Sequence, residues 1–547
     1  MLKPATSYAD LQATFAWHIP EYYNMGVDVC DKWAERDPQR LALIHVTDQG
    51  DTHYTFADLR AQSNRLANLL RSAGIQQGDR VAMLLPQAPE TALGHIATHK
   101  LGAISIPLFT LFGEEALSYR LANSGASAVI TNAEGAARLQ TLRAQLPALQ
   151  HVFSIDGAGY GARDLHAELA EHSPQFVPVN TRADDPAVLI YTSGTTGQPK
   201  GALHAHRVLL GHLPGVEMSH NFFPQPGDRI WTPADWAWIG GLLDVLMPAL
   251  HHGVAVVARR FEKFSAEAAF SLIQDYGIRN AFMPPTALKM MRSIPNVTER
   301  WQLQMRSIAS GGESLGAELL EWGRSTFGLT INEFYGQTEC NMLVSSCVAI
   351  EAPLPGSMGR AVPGHTLAIV DAQGNVLPTG SHGNIAVRKP DPVMFLGYWE
   401  NPQATAAKFV GDWLLTGDVG VQDEQGRLSF VGRDDDVITS SGYRIGPGEI
   451  EDCLLGHPDI ALAAVVGKPD ARRTEIVKAY VVLKAGVQPS DALVSEIQHW
   501  VKSRLAAHEY PREVSFLDAL PMTTTGKIIR RQLRQQATQE AATRTCS

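Results

Sequence analysis

Apolar positions recur at helical spacing in some stretches and in short unbroken runs in others, and the two kinds alternate along most of the chain. Leu59, Leu66, Leu69 and Leu70 fall on one face of a helix predicted over Phe56 to Ala73, which Gly74 ends. A strand-like run, Val81 to Leu85, follows Asp79-Arg80, and a helix over Glu114 to Ser124 precedes a strand at Ala128 to Ile130. Alternation of this kind predicts parallel sheets covered by helices. The most apolar long stretch, Ala92 to Phe112, carries His95 and Lys100 and is broken by Gly102 and Pro107. It reads as a buried helix plus strand and not as a membrane span.

After Gly359 the texture changes. Short strand-like segments at Thr366 to Asp371, Gly383 to Arg388, Trp413 to Asp418 and Leu428 to Val431, separated by glycine turns, predict a mostly β subdomain. The charged run Arg433-Asp434-Asp435-Asp436 then breaks the chain. Beyond it the pattern predicts a helix over Pro447 to Leu455, strands at Ala461 to Val466 and Ala479 to Leu483, and an amphipathic helix over Leu493 to Leu505. This is a small α+β domain on a hinge, so the expected division is 1–432, a hinge at 433–436, and 437–547. The polar tail from Gln535 to Ser547 is expected to fray.

Composition narrows the function classes. The 547 residues are 45% hydrophobic and 19% charged, as in a folded globular protein with more than one core. A net charge of −10 gives no basic face for a nucleic acid. Five cysteines (Cys30, Cys340, Cys347, Cys453 and Cys546), odd in number and without a CxxC pair, speak against a disulfide framework or structural zinc. They suit a reducing cytoplasm, and Met1 to Asp10 lacks the apolar core of a secretory signal.

The strongest local signal is Thr192-Ser193-Gly194-Thr195-Thr196-Gly197-Gln198-Pro199-Lys200-Gly201, entered from the apolar run Ala187 to Ile190. Glycines let backbone N–H groups approach phosphate oxygens, hydroxyls add donors and the lysine adds charge. The spacing differs from a Walker A loop. Any three of these residues would read as a surface turn; the whole string reads as a phosphate cradle.

The string resembles the signature of the adenylate-forming superfamily, which includes acyl-CoA synthetases, firefly luciferase and adenylation domains. Further matches follow in family order: Ser310-Gly311-Gly312-Glu313-Ser314, Phe334-Tyr335-Gly336-Gln337-Thr338-Glu339, Leu415-Thr416-Gly417-Asp418, Val431-Gly432-Arg433, Ser441-Gly442-Tyr443-Arg444-Ile445 and Thr525-Gly526-Lys527-Ile528. The resemblance implies an α/β fold: a large N-terminal domain of stacked α/β sheets with a β subdomain, plus a small mobile α+β C-terminal lid. It implies an ATP-dependent acyl-CoA synthetase with ATP, Mg²⁺ and CoA, which makes an acyl-adenylate and passes the acyl group to the CoA thiol.

The roles it implies are these. Thr192, Ser193, Gly194, Thr195, Thr196, Gly197 and Lys200 hold phosphates. Tyr335 stacks on adenine beside Gly312, Glu313 and Ser314, with Gly336 and Gln337 next to it. Asp418 and Arg433 bind the ribose. Thr338 and Glu339 face the phosphates, and Glu339 holds Mg²⁺, a hard cation that prefers carboxylate oxygen. Arg444 reaches a phosphate in one lid position. Lys527 offsets the repulsion between two anionic reactants at the α-phosphorus. The lid turns about Asp435 and opens a CoA channel near Gly442.

The acyl pocket is expected from Trp238, Ile239, Gly240, Gly311 and Gly336. Acetate-specific relatives carry Trp where this chain has Gly336, and bulkier residues at the other two glycines. Three small residues predict room for a short- to medium-chain acid, branched ones included, since each further buried CH₂ adds roughly 0.8 kcal/mol. The opposite reading, in which the glycines serve turns and Trp236 or Trp238 refills the space, leaves acetate. A benzoate-type acid is a third option. Asp235 reads as structural rather than as an amino-acid selector. A carrier-protein thiol is the alternative acceptor, and the sequence leaves monomer and homodimer equally open.

Overall fold

The computed structural model describes residues 2–192, 198–313, 315–433, 436–440, 443–470, 473–505, 509–523 and 527–545. The protein is a mixed α/β structure with a large N-terminal and a small C-terminal domain, and among the described residues its strands form sheets of eight, fourteen and five. The eight-stranded sheet has a parallel centre, with Arg80–Leu84 between Ile104–Pro107 and Ala128–Thr131. The alternation read from the sequence is the cause: the helices Phe56–Ser72, Pro89–Lys100 and Glu114–Ser124 separate these strands and cover the sheets. Phe56–Ser72 starts with a reciprocal cap, in which Thr55 accepts from the Asp58 backbone and Asp58 from the Thr55 backbone.

The fourteen-stranded sheet changes character along its width. Strands Leu41–Thr47, Ala255–Ala258, Arg229–Trp231, Asn280–Phe282, Ser307–Ser310 and Asn332–Gln337 run parallel. Cys340–Ser345 then reverses direction, and the sheet continues antiparallel through Gly359–Ala361, Arg427–Arg433, Trp413–Gln422, Gly383–Arg388 and Leu367–Val370. The β subdomain expected after Gly359 is therefore an extension of the same sheet that begins at Cys340. One core joins the faces of the two large sheets through Leu66, Leu70, Ile96, Val188, Leu213, Ile230, Leu246 and Val256.

The C-terminal sheet packs the helices Pro447–Leu455 and Asp491–Lys502 through Ile450, Leu454, Leu493, Ile497 and Val501. The tail differs from expectation. Instead of fraying from Gln535, the chain forms a helix over Arg530–Thr545. Leu533 and Ala537 are buried against Tyr480, and Glu540 pairs with Lys478, which is 2% exposed. Too few apolar residues mark this helix in the sequence, because an ion pair does part of the docking. No helix among the described residues is long and apolar enough to cross a membrane.

Candidate active site

The phosphate string links two strands that pair with each other. Pro186–Thr192 and Lys200–Ala205 pair antiparallel, and Thr192 stands opposite Lys200. Ser193, Gly194, Thr195, Thr196 and Gly197 lie outside the described residues. Next to Lys200–Ala205, the short strand Gly397–Tyr398 adds to the same sheet, with Tyr398 opposite Ala202. The Lys200 ammonium stands 5.2 Å from the centroid of the Tyr398 ring.

The second group of residues sits where the large sheet switches from parallel to antiparallel. Strand Asn332–Gln337 pairs with Ser307–Ser310 on one side and Cys340–Ser345 on the other. Tyr335 is 9% exposed, and its hydroxyl donates to Asp418 Oδ2 at 2.6 Å. Asp418 faces Arg433 across adjacent strands, with Arg433 Nε 3.7 Å from Oδ1. Burial pushes the Asp418 pKa up, while Arg433, the Tyr335 hydroxyl, Lys408 and Lys527 pull it back. Gln337 Nε2 donates to the Thr416 carbonyl at 3.0 Å, and Lys408 donates to Gln337 Oε1 and to the Thr416 carbonyl, both at 3.2 Å. The residues expected at adenine and ribose are thus one hydrogen-bonded unit.

Gln337 pairs with Cys340, which leaves Thr338 and Glu339 as the two residues of the hairpin turn. Thr338 is half-buried and Glu339 is 7% exposed. Among the described residues, the Tyr398 phenol is the hydrogen-bond donor to the Glu339 carboxylate, at Oε1. No group of three or more His, Cys, Asp or Glu side chains among the described residues is placed to hold a metal. A single buried carboxylate beside a phosphate loop does fit Mg²⁺, which takes one or two carboxylates and completes its shell with phosphate oxygens and water.

Lys527 reaches from the C-terminal domain to this group of residues. Its ammonium is 5.7 Å from the centroid of the Trp238 ring. The nearest charges acting on it are Glu313 and Asp418, which favour the cation, and Arg433, which opposes it. Desolvation by the surrounding protein lowers its pKa; the residue keeps an exposed surface, so solvent screens much of that effect. Gly312 has φ +93°, a backbone open to glycine, and a Cβ there would meet Trp238 at 3.3 Å and Lys527 Cε at 3.9 Å.

The three acyl-pocket glycines do not leave open space. A Cβ on Gly240 would lie 2.8 Å from the Phe282 ring and 3.0 Å from Trp238. On Gly311 it would lie 2.7 Å from the Phe334 ring and 2.8 Å from the Phe334 carbonyl. On Gly336 it would lie 2.4 Å from Asn341 Oδ1 and 2.6 Å from the Met342 backbone nitrogen. At each of the three, a ring or the neighbouring strand stands within 3.0 Å of where the Cβ would lie. Trp238, Phe282 and Phe334 form a continuous aromatic wall, with centroids 5.4 Å and 5.2 Å apart. Ile239 is buried in the core behind it. Asp235 is structural as read: its carboxylate accepts from the Ala237 N–H at 2.8 Å, and burial pushes its pKa up to about 6.

Ser314, the hinge residue Asp435 with Asp434, Gly442 of the CoA channel, and the Arg444 side chain lie outside what is described. Two residues of the site escaped the sequence reading. Tyr398 sits in a two-residue strand with no periodicity to mark it, and Lys408 is a single lysine between Ala407 and Phe409, outside every motif quoted above.

Two family models match the chain, AMP-binding enzyme over residues 30–399 and AMP-binding enzyme C-terminal domain over residues 449–527. The chain is 37% identical to an acetyl-coenzyme A synthetase of Bacillus subtilis, covering 93% of this chain and 90% of the relative. It is 35% identical to the mitochondrial acyl-coenzyme A synthetase ACSM4 of Homo sapiens, covering 95% and 91%. Among solved structures it is similar to the anthranilate CoA ligase AuaEII in complex with anthranoyl-AMP, with a TM-score of 0.88 and 28% identity over 96% of this chain and 99% of that one.

Proposed function

Because this chain belongs to the AMP-binding enzyme family and is an AMP-forming acid–thiol ligase, an acyl-CoA synthetase, we propose that its acid is a short apolar carboxylic acid, at the short end of the short- to medium-chain range. One observation carries this reading: the Lys527 ammonium stands 5.7 Å from the Trp238 ring centroid. An acid whose carboxylate meets Lys527 would lay its acyl group along the wall of Trp238, Phe282 and Phe334, whose rings stand against Gly240 and Gly311.

Lys527 then stabilises charge where the carboxylate attacks the α-phosphorus, a role worth about 10²–10³ in rate for a comparable preorganised donor. Tyr335 holds Asp418 for the ribose hydroxyls, with Arg433 at the other carboxylate oxygen. Glu339 would hold Mg²⁺, which neutralises phosphate charge as pyrophosphate leaves. For thioester formation the lid, residues 437–547, turns about Asp435, withdraws Lys527 and admits the CoA thiol past Gly442. The free thiols Cys30, Cys340, Cys347 and Cys453 suit a reducing cytoplasm, which we take as the compartment.

The test is pyrophosphate release with ATP, Mg²⁺ and CoA across acids from acetate to decanoate, with isobutyrate and benzoate included. A peak at two to four carbons supports the reading, and a peak at octanoate or beyond sinks it. A benzoate-type acid is the second reading, favoured by the aromatic wall, on which a flat ring can stack. Turnover with free CoA separates both from a carrier-protein acceptor.

A further inference from the structure

We propose that Tyr398 is a positioning residue of this reaction: its phenol holds one oxygen of the Glu339 carboxylate and leaves the other for Mg²⁺. The inference rests on the reading of Glu339 as the metal carboxylate.

Both residues are 7% exposed, and the phenol donates to Glu339 Oε1. Tyr398 is itself fixed from several directions. Its strand pairs with the phosphate hairpin, and its N–H donates to Thr405 Oγ1 at 2.8 Å. Its ring meets Phe395 edge-on at 5.0 Å, and the Phe395 N–H donates to the Glu339 carbonyl at 2.8 Å. One short segment therefore grips Glu339 by both backbone and carboxylate.

The ring does a second thing. Lys200 lies over it at 5.2 Å, on the phosphate hairpin. A Glu339 carboxylate released from the phenol could turn to this ammonium, and that ion pair would compete with the cation. Tyr398 keeps carboxylate and ammonium on separate tasks.

The experiment is calorimetric ATP binding without acid or CoA, in EDTA and across a Mg²⁺ titration, for the native protein, Tyr398→Phe, Glu339→Gln and the double variant. Phenylalanine keeps the ring on Lys200 and against Phe395, and thermal melting confirms that each variant is folded. Tyr398→Phe should bind ATP in EDTA as the native protein does, need about tenfold more Mg²⁺ for the same gain in affinity, as loss of a hydrogen bond to a charged group implies, and add nothing to Glu339→Gln. Native Mg²⁺ dependence in Tyr398→Phe, with loss in Glu339→Gln, overturns the role of Tyr398 and leaves the metal reading standing. Native dependence in Glu339→Gln overturns the metal reading and this inference with it.

Discussion

The Tyr335 hydroxyl donates to Asp418 Oδ2 at 2.6 Å, so the side chain expected under adenine anchors the carboxylate expected at the ribose. Tyr335→Phe keeps the ring and removes the anchor. A hydrogen bond to a charged group contributes about 1.5–3 kcal/mol, so KM for ATP should rise by roughly tenfold or more, with kcat changed much less. The hydroxyl also lowers the Asp418 pKa, against a larger upward push from burial. Removing it raises that pKa further. The ribose contact needs the carboxylate, which is present above this pKa, so the acid limb of kcat/KM for ATP should move to higher pH. An unmoved limb with native KM would show that Asp418 does not depend on Tyr335.

Lys527→Ala should remove adenylation while leaving thioester formation from a supplied acyl-adenylate largely intact. The ammonium lies at Trp238 and Gly312 in the arrangement described, and in the proposed mechanism only the first half-reaction uses it there. The expected loss in acid-dependent ATP–pyrophosphate exchange is about 10²–10³. Equal losses in both half-reactions would contradict a lid that withdraws Lys527 for the second.

The motif residues were legible because each chemistry fixes residue type at fixed spacing. Helix and strand boundaries such as Glu114–Ser124 were legible because periodicity and a glycine stop agree. What sequence could not supply was who occupies the space beside a small residue. Gly240 and Gly311 look like openings until Phe282 and Phe334, distant in sequence, are brought against them; Trp238, two residues from Gly240, is the one neighbour the sequence already offered as a filler. Tyr398 was hidden for the same reason, since its partner Glu339 is 59 residues away in the chain.

That occupancy makes a prediction about specificity. Trp238→Ala should widen the acid profile toward longer chains, because the indole spans the ground between Gly240 and Gly312. Gly311→Ala should do no such thing. Its Cβ would meet the Phe334 ring and carbonyl, and overpacking of this kind costs about 1–3 kcal/mol. The melting temperature should fall by several degrees while the preferred acid stays the same. Lengthened preference in Gly311→Ala, or none in Trp238→Ala, would mean that the wall lies elsewhere.

The C-terminal helix offers a test in the pH dependence of stability. Lys478 is 2% exposed and pairs with Glu540, while Glu513 lies 3.6 Å away. Burial alone would raise the Glu540 pKa, but its contacts with Lys478, Gln536 and Lys468 outweigh that, and the folded-state pKa lies below the ordinary glutamate value. A depressed carboxyl pKa gives stability that is fully present above the unfolded-state pKa and lost as pH falls through the folded-state one. Glu540→Gln removes the charge and leaves Lys478 with Glu513 alone, so its melting temperature should be lower than native at pH 7. On acidification the native protein loses its advantage, and the two curves should converge as pH falls through the depressed folded-state pKa of Glu540. A constant gap down to pH 3 would assign the effect to packing of Leu533 and Ala537 rather than to the ion pair.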